Sequence, residues 1–467
     1  MRPANNDQVS AFARREFLRR GGLVAAGLAL GPALLTACGG PGRAGESLTV
    51  WWSKGYYEEE DAAAARIIGA WSRATGRAVN LQFYSTPAMG SKLTSAVEAG
   101  RPPDIAYHQN ARASLFAHQG QLADVSDVVD TLALTPIARS ASRFYDNQRQ
   151  VTSTFATPLL TWTIPIFHWK SMLTEIGLDL REAPRNWDGY WEFWREAQRR
   201  ADRAGAERPP TAVGWSLSSA MEDTPEHFQY VLRAAGTALL DENNAIDVSG
   251  PGVRDGLEYT LRWISDLYSE GYTPRDSISW QSGGNNQVFL NQQVFMTPNG
   301  TLSIPGSVKE NDPAAWADIG TSGWPEAVGG GAPTALAKFG RIMLFEDAGR
   351  VSEAKDLLRH LMDPANVQQY LEDGRGRWYP TLTPLTEQPY WTDNPDPNVR
   401  AVHEIFGSEG LAPDWRELSL AYSRVEDLNI WAKSLTRILI DGQDVAKATD
   451  DALRQVELLG RQFGAQA

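Results

Sequence analysis

The chain has 467 residues, 42% of them hydrophobic and 22% charged, with 44 Lys and Arg against 57 Asp and Glu. That composition excludes wholesale disorder, a collagen-like repeat and a polytopic membrane protein. A net charge of −13 argues against a nucleic-acid binder, whose affinity rests on neutralising phosphates.

Residues 10–38 come first and read as an address. Ser10-Ala11-Phe12-Ala13 leads into Arg14-Arg15-Glu16-Phe17-Leu18-Arg19, then small and apolar residues run from Gly21 to Ala37. A basic segment, an apolar core and a small-residue cleavage site predict a signal peptide over residues 1–37. The run is too short and Gly-rich for a stable membrane span. The paired arginines before Phe17-Leu18 resemble a twin-arginine export signal. Leu35-Thr36-Ala37-Cys38 resembles a bacterial lipobox, with Cys38 as the lipidated first residue of the mature protein; an ordinary signal with an incidental cysteine is the alternative. The expected product is exported and lipid-anchored to the cell membrane on its extracytoplasmic side, through a linker over residues 38–46. Cys38 is the only cysteine, so the fold cannot depend on disulfides. The mature body is acidic, so its tether to an anionic membrane would be the lipid.

Leu48 to Trp52 predicts a strand, being β-branched and aromatic. The acidic run Glu58 to Asp61 opens a helix that ends at Gly76, with carboxylates on the positive end of the helix dipole. A second strand is predicted over Ala78 to Tyr84, a helix over Ser91 to Ala99, and a short strand over Ile105 to Tyr107. This alternation implies a parallel sheet with helices on both faces, and ligands in such sheets sit at the carboxyl ends of the strands. Further on, Thr163 to Trp169 is strand-like and Asn186-Trp187-Asp188 precedes an amphipathic helix through Ala204. Ser249 caps a helix from Gly252 to Ser269, and a helix end at Phe289 runs into a strand ending at Thr297. Glu387 to Asn398 reads as a loop, with helices beyond it.

Several spaced segments resemble the extracellular solute-binding proteins of ABC importers, in the carbohydrate group that includes maltose- and multiple-sugar-binding proteins. Gly100-Arg101-Pro102-Pro103-Asp104 and Gly120-Gln121-Leu122-Ala123-Asp124 are similar to that family's first-lobe signature. Thr157-Pro158 through Phe167-His168-Trp169-Lys170, Ile176-Gly177-Leu178 and Asn186-Trp187-Asp188 resemble the passage into the second lobe. Phe295 to Gly300 is similar to the strand before a ligand-facing loop. Gly330-Gly331, the helix Glu353 to Leu361 and Tyr379-Pro380 resemble the return, and Asp441-Gly442 with Ala446 to Leu453 the terminal helix. The chain departs from the family at Leu302, where an aromatic is frequent, and at Phe167-His168-Trp169, which replaces Tyr-Tyr-Asn.

The resemblance implies an α/β, two-lobed periplasmic-binding-protein-like fold of type II, its lobes hinged around a ligand cleft. Lobe 1 is expected over 47–160 and 328–380, lobe 2 over 161–327 and 381–467, with crossings near Thr161, Val328 and Thr381. It implies a monomeric receptor without cofactor or metal. Its partners would be a carbohydrate and the permease subunits of an importer with their cytoplasmic ATPase.

A sugar needs flat aromatic platforms for its C–H faces and fixed partners for its hydroxyls. The first-lobe candidates are Trp52, Ser53, Lys54, Tyr56, Tyr84, His108, Gln109 and Asn110, at strand ends, with Trp162 at the first crossing. In the second lobe they are Trp215, Asp223, Trp280, Asn285, Asn299 and Trp324, and Gly331, Trp378 and Tyr379 lie near later crossings. Packing is the expectation for Trp51, Trp71, Trp187 and Trp263. The six histidines show no metal-ligand spacing, and Trp215-Ser216 lacks a hydrolase's nucleophile elbow. A binder of another solute, such as a glycerol phosphodiester or polyol, stays open. A secreted glycoside hydrolase would need two carboxylates across a cleft, which no motif marks.

Overall fold

The computed structural model describes residues 47–109, 112–205 and 208–463. The export signal, the lipidation of Cys38 and the candidate Asn110 lie outside those residues. Among the described residues no helix is long and apolar enough to cross a membrane.

Strand β1 (Leu48–Ser53) pairs in parallel with β2 (Val79–Tyr84) and with β3 (Ile105–His108). Between β1 and β2 runs the helix Glu58–Thr75, opened by four carboxylates and closed by Gly76 in the left-handed conformation. A hairpin of β4 (Arg143–Asp146) and β5 (Val151–Thr154) leads to β6 (Ala156–Trp162). Three residues later β7 (Ile166–Trp169) begins a different sheet. With β8 (Thr211–Val213), β9 (Val294–Pro298) and β10 (Ile319–Ser322) it makes a four-stranded layer in the order β10-β7-β9-β8.

The chain then returns to the first sheet through Gly329, Gly330 and Gly331, all at positive φ where a side chain would be strained. The ten-residue β11 (Ala335–Leu344) is buried throughout and antiparallel to β6 and β3. Short β12 (Tyr379–Pro380) completes one edge, and β13 (Leu411–Pro413) pairs with the first residues of β11. Each sheet, with its helices, forms one lobe.

Beyond Thr381 the chain visits both lobes. The helix Pro397–Phe406 lies on β10, where Thr321 Oγ1 donates to Asn398 Oδ1 at 2.6 Å. The chain next supplies β13 to the larger sheet, and its last helix, Val445–Phe463, packs on Val253–Ser269 in the other lobe. The segment 387–398 is not the loop its composition suggests. Its prolines start the helices Pro389–Thr392 and Pro397–Phe406, at the position where a missing N–H costs nothing.

Most of the tryptophan wealth is structural. Trp187, Trp191, Trp215, Trp263 and Trp324 form one cluster in the smaller-sheet lobe, with ring centroids 4.9 to 6.0 Å apart. Edge-to-face pairs of this kind add about 0.5–1.5 kcal/mol each beyond burial.

Candidate functional site

Between the two sheets lies a cavity of about 520 Å³. Seven of the sequence candidates stand on its walls: Tyr56, Gln109, Trp162, Asp223, Asn285, Asn299 and Trp378. Trp162 ends β6 at the crossing and meets Trp378 edge to face at 5.3 Å. Trp378 Nε1 donates to Glu60 Oε2 at 3.0 Å, and the Arg377 guanidinium lies 4.0 Å over the indole. These contacts fix both indoles in place, with Trp162 8% and Trp378 1% exposed. Opposite, Asn285 Nδ2 donates to Asn299 Oδ1 at 3.1 Å, and Asn299 Nδ2 donates to Ser303 Oγ at 3.0 Å. The loop after β9 is thus locked by its own amides.

The other described candidates do not line this cavity. Trp52 is buried behind it, stacked on Tyr107 at 4.4 Å, and Ser53 Oγ is 2.8 Å from His108 Nδ1 inside the sheet. Burial and then the Arg112 charge lower His108 to about 3, so it is neutral. Lys54 is exposed, and Tyr84 packs edge-on against Trp51 under the Lys92 ammonium. Trp215 and Trp324 belong to the tryptophan cluster, and Trp324 stacks on Tyr230 at 4.3 Å. Trp280 is buried against Gly284, Gly331 is exposed in the return turn, and Tyr379 stacks on Phe406 at 4.1 Å. For Trp52, Ser53 and His108, position at a strand end was the signal, yet strand alternation and neighbouring side chains turned them inward.

Apart from Asp223, sequence reasoning missed the charged wall. Lys338 of β11, 2% exposed, binds Glu226 of the helix Asp223–Ala234 and lies 3.7 Å from Asp414. Arg416 Nη1 is 3.0 Å from Glu426 Oε2. Lys338, Glu226, Arg416 and Glu426 all line the cavity. Burial works against the Lys338 charge, but Glu226 and Asp414 outweigh it and hold the amine protonated. Burial, then the charges of Glu226 and Glu222, push Asp223 up to about 8. Burial also pushes Glu426 up to about 8, against the lowering by Arg416. The available signal was Lys338 and Arg341 inside the apolar run Ala335 to Leu344, since cations within a buried strand require buried partners.

The lobes also touch at the cavity mouth. The Tyr57 ring seats against Gly306, where a Cβ would come within 2.0 Å of its hydroxyl. Arg375 is 2.8 Å from Glu59 and 3.0 Å from Glu310. The site is a partly open, two-sided pocket with aromatic faces, amides and charges. Among the described residues no group of three His, Cys, Asp or Glu could hold a metal ion.

Comparison with known proteins bears on this geometry. The family described as bacterial extracellular solute-binding protein matches residues 67–398. A multiple sugar-binding protein of Streptococcus mutans serotype c is 22% identical over 326 residues, 68% of this chain and 71% of that one. Among solved structures, an ABC transporter solute-binding protein from Thermotoga lettingae bound with alpha-D-tagatose aligns with a TM-score of 0.72. It is 18% identical and covers 89% of this chain and 100% of its own. The cyclic alpha-maltosyl-1,6-maltose binding protein of Arthrobacter globiformis aligns at 0.69, also 18% identical, over 89% and 99% of the two chains. At such identities the structural likeness concerns the fold.

Proposed function

This chain belongs to the family of bacterial extracellular solute-binding proteins, and from that premise we propose that it captures a carbohydrate between its lobes and delivers it to an ABC importer. The observation that carries the proposal is the pairing of Trp162 and Trp378 with Asn285 and Asn299 around one inter-lobe cavity. Indole faces suit the C–H surface of a sugar ring, and fixed amides pair the hydroxyls that burial would otherwise leave unsatisfied. Solute touching both lobes favours the closed state by its differential contacts, and closure would present the surface that docks on the permease. The sugar-binding relative and the tagatose-bound and maltosyl-maltose-binding structures support the same reading.

The lobe ranges that go with it are 47–160 with 328–380, and 161–327 with 381–467, β13 excepted. Export by a twin-arginine signal and a lipid on Cys38, supported by residues 10–38, complete the proposal together with a monomeric receptor. A glycerol phosphodiester fits the wall less well, because Glu226 would repel it and the cations Lys338 and Arg416 are already paired with carboxylates.

Calorimetric titration with mono- and disaccharides tests the reading, with chromatographic recovery of each solute afterwards. The expected result is one-to-one binding at micromolar Kd or tighter, about −8 kcal/mol, with solute returned intact. Failure of every sugar to bind, or cleavage of one, would overturn it.

A further inference from the structure

The cavity wall is more negative than its cations can answer. Glu222, Asp223, Glu226, Glu426 and Asp427 line it. Among the lining cations, Lys338 is shared between Glu226 and the fully buried Asp414, Arg416 is paired with Glu426, and Arg377 with Glu60. Asp427 is held by Arg424 at 2.8 Å. With Arg112 included, and with the partners standing directly behind the wall, seven carboxyl groups face five cations. The raised pKa values of Asp223 and Glu426 mean that the wall answers the excess with protons that a bound cation would displace. Asp223 carries the surplus: its charged neighbours are Glu226, Glu222 and Lys338, and Lys338 is already bound to Glu226.

An independent observation points the same way. Asn285, 0% exposed, lines the cavity, and its Oδ1 accepts no hydrogen bond from the protein. Its amide nitrogen is committed to Asn299 Oδ1 and to the Pro298 carbonyl. The neighbouring Asn286 Oδ1, also on the wall, is likewise without a protein donor. The wall therefore offers spare acceptors beside a carboxyl, Asp223, that a bound cation would ionise. A protonated amine supplies both complements, being a cation with donors and no acceptor. A phosphate or carboxylate would worsen both.

We propose that the cargo is a carbohydrate bearing a protonated amino group, held by Asp223 and the spare amide oxygens while Trp162 and Trp378 pack on the ring. The inference rests on the carbohydrate reading above and narrows it. Hydrogen bonds to charged groups exceed neutral ones by an amount worth roughly tenfold in affinity.

The test is titration at pH 7 with glucosamine and its β-1,4-linked disaccharide, beside glucose, cellobiose and the N-acetylated forms of the same shape. The amines are expected to bind at least about tenfold tighter than both neutral sets. Asp223→Asn should reduce that preference to about threefold or less, and the milder Glu222→Gln, at an exposed residue, should reduce it partially. Equal binding of amines and neutral sugars would overturn the inference and leave the carbohydrate reading standing. A preference that survives Asp223→Asn in a variant with native circular dichroism would overturn the role of Asp223. Binding of no sugar of any kind would overturn the carbohydrate reading, and this inference with it.

Discussion

Lys338→Met is expected to destabilise the protein by about 3–5 kcal/mol, the range for removing one partner of a buried ion pair. Lys338 sits in the middle of β11, 2% exposed, and joins the larger sheet to Glu226 of the opposite lobe. Methionine fills the volume but leaves Glu226 and Asp414 buried without their cation. The loss should also grow with pH. A carboxyl whose native pKa exceeds its unfolded value binds its proton more tightly when folded. Its contribution is complete below the unfolded pKa, near 4, and is lost as pH rises through the native value. Asp223 and Glu426, at about 8, place that loss between about pH 4 and 8 in the unaltered protein. Lys338 lowers the pKa of Glu226, Asp223 and Glu426, so its removal raises all three and deepens the loss. Urea unfolding at pH 6 and pH 8.5 would therefore show the larger difference at the higher pH. A cost under about 1 kcal/mol, or one independent of pH, would contradict a shared charge cluster.

Trp162→Ala is expected to weaken sugar binding by about 2 kcal/mol, roughly thirtyfold, taking about 80 Å² of apolar contact at 25 cal/mol/Å². Trp162 lines the cavity from the crossing between the sheets, and Gly300 beside it leaves the indole room. Trp215→Phe is the matched control, because Trp215 lies in the tryptophan cluster and off the cavity wall. Titration of both variants with the same sugar should separate them. Equal losses would mean that the indole acts through the fold alone.

Much of the first lobe was legible because local chemistry and tertiary structure agree there. The acidic opening of Glu58–Thr75 and its closing Gly76 are signals a helix needs whatever surrounds it. Asn186 likewise caps its helix by accepting from the Gly189 N–H at 2.9 Å. The tryptophans were legible as a number and not as places. Trp162 and Trp215 both follow apolar strands, and only the packing of Trp191 and Trp263 decides that Trp215 faces inward. The charged wall was the least legible part. Glu226 and Glu426 lie on helices where a carboxylate ordinarily faces water, and only Lys338 and Arg341, within an apolar strand, betrayed that partners must exist. Their meeting depends on segments 112 and 88 residues away from Lys338, which no local pattern encodes.

The most direct measurement is a crystal structure of the protein with the tightest-binding saccharide. Solute seated against Trp162 and Trp378, with hydrogen bonds to Asn285 or Asn299 from the opposite lobe, is the predicted result. Solute on the outer surface, or touching one lobe only, would contradict capture by closure.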